Sequence, residues 1–106
     1  MSVKHFDQLE TREPAAREAS QMGLLPDLIR RAMAQAPGWA EHLKGVDPAG
    51  ITSREALATL PLMRKASLKE RQAVRPPFGG FATSEAGAMG RIFMSPGPIF
   101  EPEGLS

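Results

Sequence analysis

The sequence predicts a mainly α chain: a small helical unit over residues 1–75, then a loop with one or two short strands over residues 76–106. Three observations carry this. Apolar residues recur at helical spacing between Met22 and Ala36, a helix-start signature stands at Thr52–Glu55, and Arg91–Met94 is the one strand-like run.

Each element follows in order. Residues 1–13 are polar and read as extended. Met22, Leu25, Ile29, Ala32, Met33 and Ala36 then repeat at three- and four-residue steps, with Leu28 on the same face, as an amphipathic helix does. Thr11 or Glu13 is placed to cap it, and Pro14 suits its first turn, where a missing N–H costs nothing. Arg17, Glu18, Arg30 and Arg31 fall off the apolar stripe and should be wet. Pro26, with Gly23, interrupts the middle. A proline inside an unbroken helix costs about 3 kcal/mol, so two helical pieces are expected, 14–24 and 25–36.

Pro37-Gly38 punctuates the chain, and Trp39 and Leu43, four apart, form a short helix that stops at Gly45. Thr52-Ser53-Arg54-Glu55 reads as a capping box with Thr52 at the cap and Ile51 stapled onto Ala56. Leu57 and Leu60 supply the buried face, and Pro61 ends that helix at Leu60. On this reading Leu57→Ala should cost about 2–4 kcal/mol. A last helix runs from Ala66 to near Gln72 with Leu68 inward. Beyond Val74, Arg75-Pro76-Pro77-Phe78-Gly79-Gly80-Phe81 is a loop and 82–90 are small residues. A lone strand leaves both edges unpaired, so Arg91–Met94 implies partners elsewhere.

Composition excludes several function classes. The 106 residues carry a net charge of +1, which gives no nucleic-acid or membrane footprint. There is no cysteine, so disulfides, thiolate metal sites and cysteine nucleophiles are out. The first residues lack a signal peptide's apolar run, and no window approaches the roughly 18 apolar residues of a membrane span. A soluble cytoplasmic protein is expected, with no nucleic-acid or membrane partner. Ten prolines and ten glycines count against a dense autonomous fold.

Few residues offer chemistry. His5 and His42 lie far apart, outside any metal-ligand spacing, and read as surface imidazoles; no metal site is expected. Glu10/Glu13 and Glu101/Glu103 are solvated pairs in loop-like segments, so no catalytic residue is assigned. Arg64, Lys65, Lys69, Arg71 and Arg75 form a basic stretch, read as a wet helix face rather than a phosphate or nucleic-acid contact, because aromatic residues do not interleave with it. Trp39 and Met22, Met33 and Met63 read as core. Ser95-Pro96-Gly97-Pro98-Ile99-Phe100-Glu101-Pro102 follows a strand, as phosphate cradles often do. Pro96 and Pro98, however, each remove an N–H donor, and Glu101 would repel an anion. The residues alone therefore favour a structural loop.

Taken end to end, the chain resembles the beginning of the phenylacetate-CoA ligases, within the adenylate-forming acyl-CoA synthetases. The resemblance rests on Phe6-Asp7-Gln8-Leu9-Glu10-Thr11-Arg12, on Leu28 through Trp39 with its Ala36-Pro37-Gly38-Trp39 ending, and on Gly45 through Ser53. It continues in Leu57 through Leu68, similar to the family's Leu-x-x-Leu-Pro-x-x-x-Lys-x-x-Leu, and in Pro77-Phe78-Gly79-Gly80. It spans nearly all 106 residues, and its specificity lies in the order of the pieces.

The resemblance implies a family that converts a carboxylic acid to its acyl-CoA, using ATP and Mg²⁺ to form an acyl-adenylate and CoA to displace AMP. Family chains are roughly four times longer, in keeping with a multi-domain size. This chain is then expected to be an N-terminal piece, with the strands of 76–106 opening an α/β domain. Ser95 and Gly97 fall on the family's phosphate loop, of the form Ser-Ser-Gly-Thr-Thr-Gly-x-Pro, and Pro102 matches its end. Its threonines, second glycine and basic residue have no counterpart. The expectation is therefore no ATP, CoA or Mg²⁺ bound by this chain alone. The partner would be the remainder of a ligase or a related subunit, with homo-oligomers as a further outcome. The alternative is a non-catalytic interaction module that packs on, or dimerises with, a full-length relative.

Overall fold

The computed structural model describes residues 3–104. The N-terminal stretch is not wholly extended. A 3₁₀ turn over Gln8–Thr11 is capped by Asp7, whose side chain accepts from Leu9 N–H at 2.9 Å. Thr11 Oγ1 donates to the Gln8 carbonyl at 3.3 Å, so it belongs to this turn and not to the next helix.

Helix α1 spans Pro14–Gln35 without a break. Glu13 holds its cap position but makes no side-chain cap bond, and Pro14 starts the first turn. The expected division at Pro26 does not occur. Pro26 and Met22, the residue four back whose carbonyl loses a donor, line an open cleft of about 590 Å³. Water there can take the place of the lost bond, so the proline costs less than in a buried helix. Glu18, on the same helix, pairs with Arg54 across this cleft.

Helix α2, Pro37–His42, begins as the expected Pro-Gly punctuation and ends before Gly45, whose φ of 88° suits a chain reversal. Helix α3 covers only Arg54–Leu57. Its cap is Ser53, one residue later than expected: Ser53 Oγ accepts from Ala56 N–H at 3.1 Å. Thr52 is spent differently, its N–H donating to Gly50 O at 3.1 Å. Tight bonds from Thr59 to Ala56 and from Leu60 to Leu57 carry the chain to Pro61 without regular helix.

The late cap moves the inward face. Ile51, Ala56 and Leu60 pack into the core with Ile29 and Leu43, while Leu57 is 38% exposed. The expected burial of Leu57 is thus corrected. Leu57→Ala should cost below about 1 kcal/mol and Ile51→Ala about 2–4 kcal/mol, compared by urea unfolding.

Helix α4, Lys65–Val74, is longer than expected, and Leu68 is half-buried as its spacing implied. The chain then closes in an antiparallel hairpin, β1 Met89–Ser95 with β2 Ile99–Gly104, in the register Arg91↔Glu103, Phe93↔Glu101 and Ser95↔Ile99. β1's partner is therefore local. Arg91 joins Glu103 across the pair at 2.6 and 2.9 Å, and that guanidinium holds the Glu103 carboxyl below its ordinary range. Among the described residues no helix is long and apolar enough to cross a membrane.

The whole is open. Its surface is 8025 Å² and its radius of gyration 16.5 Å. A monomer of 11.4 kDa normally exposes about 5,800 Å², and about 13 Å is the usual radius for this length.

Candidate functional site: an aromatic cleft and the hairpin turn

Phe78-Gly79-Gly80-Phe81 joins α2 to α4. Gly38 N–H donates to Gly80 O at 2.7 Å, and Gly79 and Gly80 hold φ of 66° and 83°. Phe78 is buried. Phe81 meets Trp39 edge-on at 5.0 Å between centroids, and the Arg71 guanidinium lies 5.5 Å over the Phe81 ring. Trp39 also meets His42 edge-on at 5.9 Å, while His42 Nε2 lies 3.1 Å from the Pro61 carbonyl.

Trp39, Phe78 and Phe81 wall a cleft of about 210 Å³, completed by Met63, Leu68, Ile99 and Phe100. Trp39, read as core, packs against the core cluster and also lines the cleft. Met33 packs on the core as expected, whereas Met63 borders the cleft. The cleft suits an apolar group in size and lining. Its interior amide, Gln72, is already committed, accepting from Phe100 N–H and donating to Phe100 O, each at 2.9 Å. The other polar residue of its lining is Glu101, whose negative charge would repel a carboxylate.

Ser95 and Gly97 lie in the turn of the hairpin. Ser95 is the last residue of β1, and its Oγ donates to Ile99 O at 3.4 Å. Gly97 has φ of 137°, and a Cβ there would fall 3.1 Å from Lys65 Cε and 3.5 Å from Lys65 Nζ. So the fold brings Lys65 of the basic stretch to the turn. The segment 99–102, read as part of a loop, is strand. Strand pairing and the Gln72 amide occupy that backbone, and Pro96 and Pro98 donate nothing, which leaves the Gly97 N–H and the Lys65 ammonium as the donors at the turn.

The remaining basic residues separate. Arg71 covers Phe81, and Arg75 reaches Gly80 beside a second cavity of about 340 Å³. Arg64, Lys65 and Lys69 remain on the exposed face. His5 lies 3.5 Å from Glu10, which also accepts from Phe6 N–H, and Glu103 is paired with Arg91. Among the described residues no group of three or more His, Asp or Glu could hold a metal ion.

Gln72 and the Phe78–Phe81 joint were not recognised as site-forming from sequence. The Gly79-Gly80 pair beside two aromatics was the available signal. Gln72 offered none, because its partner lies 28 residues away.

This arrangement is the fold of part of an adenylate-forming acyl-CoA ligase. Solved structures that share it include those of 2-hydroxyisobutyryl-CoA ligase. In the postadenylation state with R3-HIB-AMP, that ligase matches 88% of this chain at a TM-score of 0.78 and 25% identity. Its open conformation with 2-HIB-AMP and CoA matches 93% at 0.78 and 25%. Its thioesterification state with the same ligands matches 92% at 0.78 and 25%. The chain spans 20%, 25% and 22% of those ligase chains, respectively. No protein-family model matches the sequence, and no curated protein matches it closely.

Proposed function

We propose that this chain is the helical opening unit of a phenylacetate-CoA ligase-like protein, and that by itself it activates no acid. One observation carries the reading: the fold agrees at a TM-score of 0.78 over 88% of this chain, yet covers only 20% of the ligase. The turn at Ser95 and Gly97 supports the second half. It offers too few donors for a triphosphate, and no carboxylate pair stands ready for acid–base work. In this reading the aromatic cleft is where the unit keeps its shape, and ATP, CoA and Mg²⁺ belong to the larger protein.

The test is pyrophosphate release by the pure chain with ATP, Mg²⁺ and a panel of aryl and hydroxy acids, alongside calorimetric titration with ATP. No acid-dependent release and no micromolar ATP binding are expected. Acid-dependent release would overturn the non-catalytic half of the reading.

A second reading, an interaction module, draws on a separate observation. Phe6, Leu24, Leu28, Leu62 and Val74 are large, apolar and exposed. Leu24 and Leu28 stand one turn apart on α1, so a stripe of that helix lacks cover. This surface suits the remainder of a ligase or a related subunit.

A further inference from the structure

The two edges of the hairpin are not equivalent. Gln72 takes both the N–H and the carbonyl of Phe100, so these groups point away from β1. Antiparallel strands alternate, so Pro102 also turns the nitrogen side of its backbone outward, where it has no proton to donate. The outer edge of β2 is therefore blocked, by an amide clamp and by a proline. The same alternation aims the N–H and carbonyl of Ile92 and Met94 out of β1, and no described residue bonds them. From Arg91 to Ser95 the β1 edge has little protection: no proline, no lysine, and one charge, Arg91, already paired with Glu103, and the break in register at Gly90 lies at the far end of the strand. Its Ile92, Phe93 and Met94 are 47%, 47% and 66% exposed.

The geometry points to a second copy of this chain as the occupant, joined β1 to β1 in antiparallel fashion about a two-fold axis at Ile92. In that register Ile92 bonds reciprocally with the partner's Ile92, and Gly90 faces the partner's Met94. Arg91 then faces the partner's Phe93, matching the contact that Arg91 already makes with its own Phe93 ring at 5.4 Å. No like charges stand directly opposite, the two Arg91 side chains are diagonal neighbours each paired with its own Glu103, and a two-stranded ribbon of marginal stability becomes a four-stranded sheet. The inference rests on the hairpin alone.

The experiment is sedimentation equilibrium of the full chain from about 10 to 500 μM, a range that spans a weak dimer. A reversible monomer–dimer equilibrium is expected. Ile92→Lys and Ile92→Glu put like charges directly across the axis, and each alone should weaken association at least about tenfold. An equimolar mixture of the two should restore it. In the unaltered chain, the Ile92 and Met94 amides should exchange more slowly as concentration rises. A monomer at every concentration overturns the proposal, as does a dimer whose Ile92 amide exchange is unchanged. Failure of the mixture to associate overturns the register. Should either variant fail to fold, the exchange measurement on the unaltered chain decides.

Discussion

Gly38→Ala is expected to destabilise the protein by about 2–4 kcal/mol. A Cβ at Gly38 would fall 2.8 Å from the Gly80 carbonyl carbon, and 2.9 Å from both the Gly79 and Gly80 oxygens. These are backbone atoms, so no rotamer change relieves the contact. The joint also carries the Gly38–Gly80 hydrogen bond of 2.7 Å, worth about 1 kcal/mol net, which lengthens if the loop retreats. Urea unfolding followed by the fluorescence of Trp39, the only tryptophan, reports directly on this region. Gly23→Ala is the matched control. It lies inside α1 with nothing within 4 Å of its added carbon, so helix propensity should make it stabilising by about 0.5–1 kcal/mol. A loss below about 0.5 kcal/mol at Gly38 would show that the loop is not held against α2.

Gln72→Leu is expected to release the hairpin from α4. Gln72 is buried at 6% exposure and satisfies both backbone groups of Phe100. Leucine fills much of the same space but leaves that N–H and carbonyl unpaired, at about 1–3 kcal/mol for each group that water cannot reach. Phe100 is 37% exposed, so water recovers part of the loss, and a net cost of about 2 kcal/mol follows. Local opening should then speed exchange of the Phe100 amide by about tenfold or more, while α1 amides change little. Gln72→Glu separates the two bonds, since a carboxylate still accepts from Phe100 N–H but faces its carbonyl without a donor. Equal exchange in all three proteins would show that the hairpin is held by Ile99 and its apolar neighbours instead.

Much of the helical part was readable because its determinants are local. The spacing of Leu25, Ile29 and Met33 defines an inward stripe, and these residues meet in the core. Pro14 and Pro37 mark helix starts, and Gly45 follows an end. Pro26 misled because its cost depends on whether water can reach the helix at that point, and Met22 and Pro26 both line an open cleft. Leu57 misled for a related reason. Thr52 and Ser53 are both competent caps, and one residue of difference turns a helix by about 100°, enough to exchange Leu57 for Ala56 in the interior.

The candidate site was legible only in fragments. Ser95 and Gly97 were singled out, and Lys65 was noted in a basic stretch, but their meeting is decided by the docking of the hairpin on α4. The sequence by itself determined the helical class, the apolar stripe of α1, the absence of thiol chemistry and the scarcity of donors around Gly97. Those follow from residue type and from spacing within a few positions. Only the tertiary structure decided the pairing of β1 with a strand containing Pro102, the clamp of Gln72 on Phe100, and the backbone contact at Gly38. Each joins residues that local periodicity does not connect, and each depends on which backbone groups are left unpaired once the helices have packed.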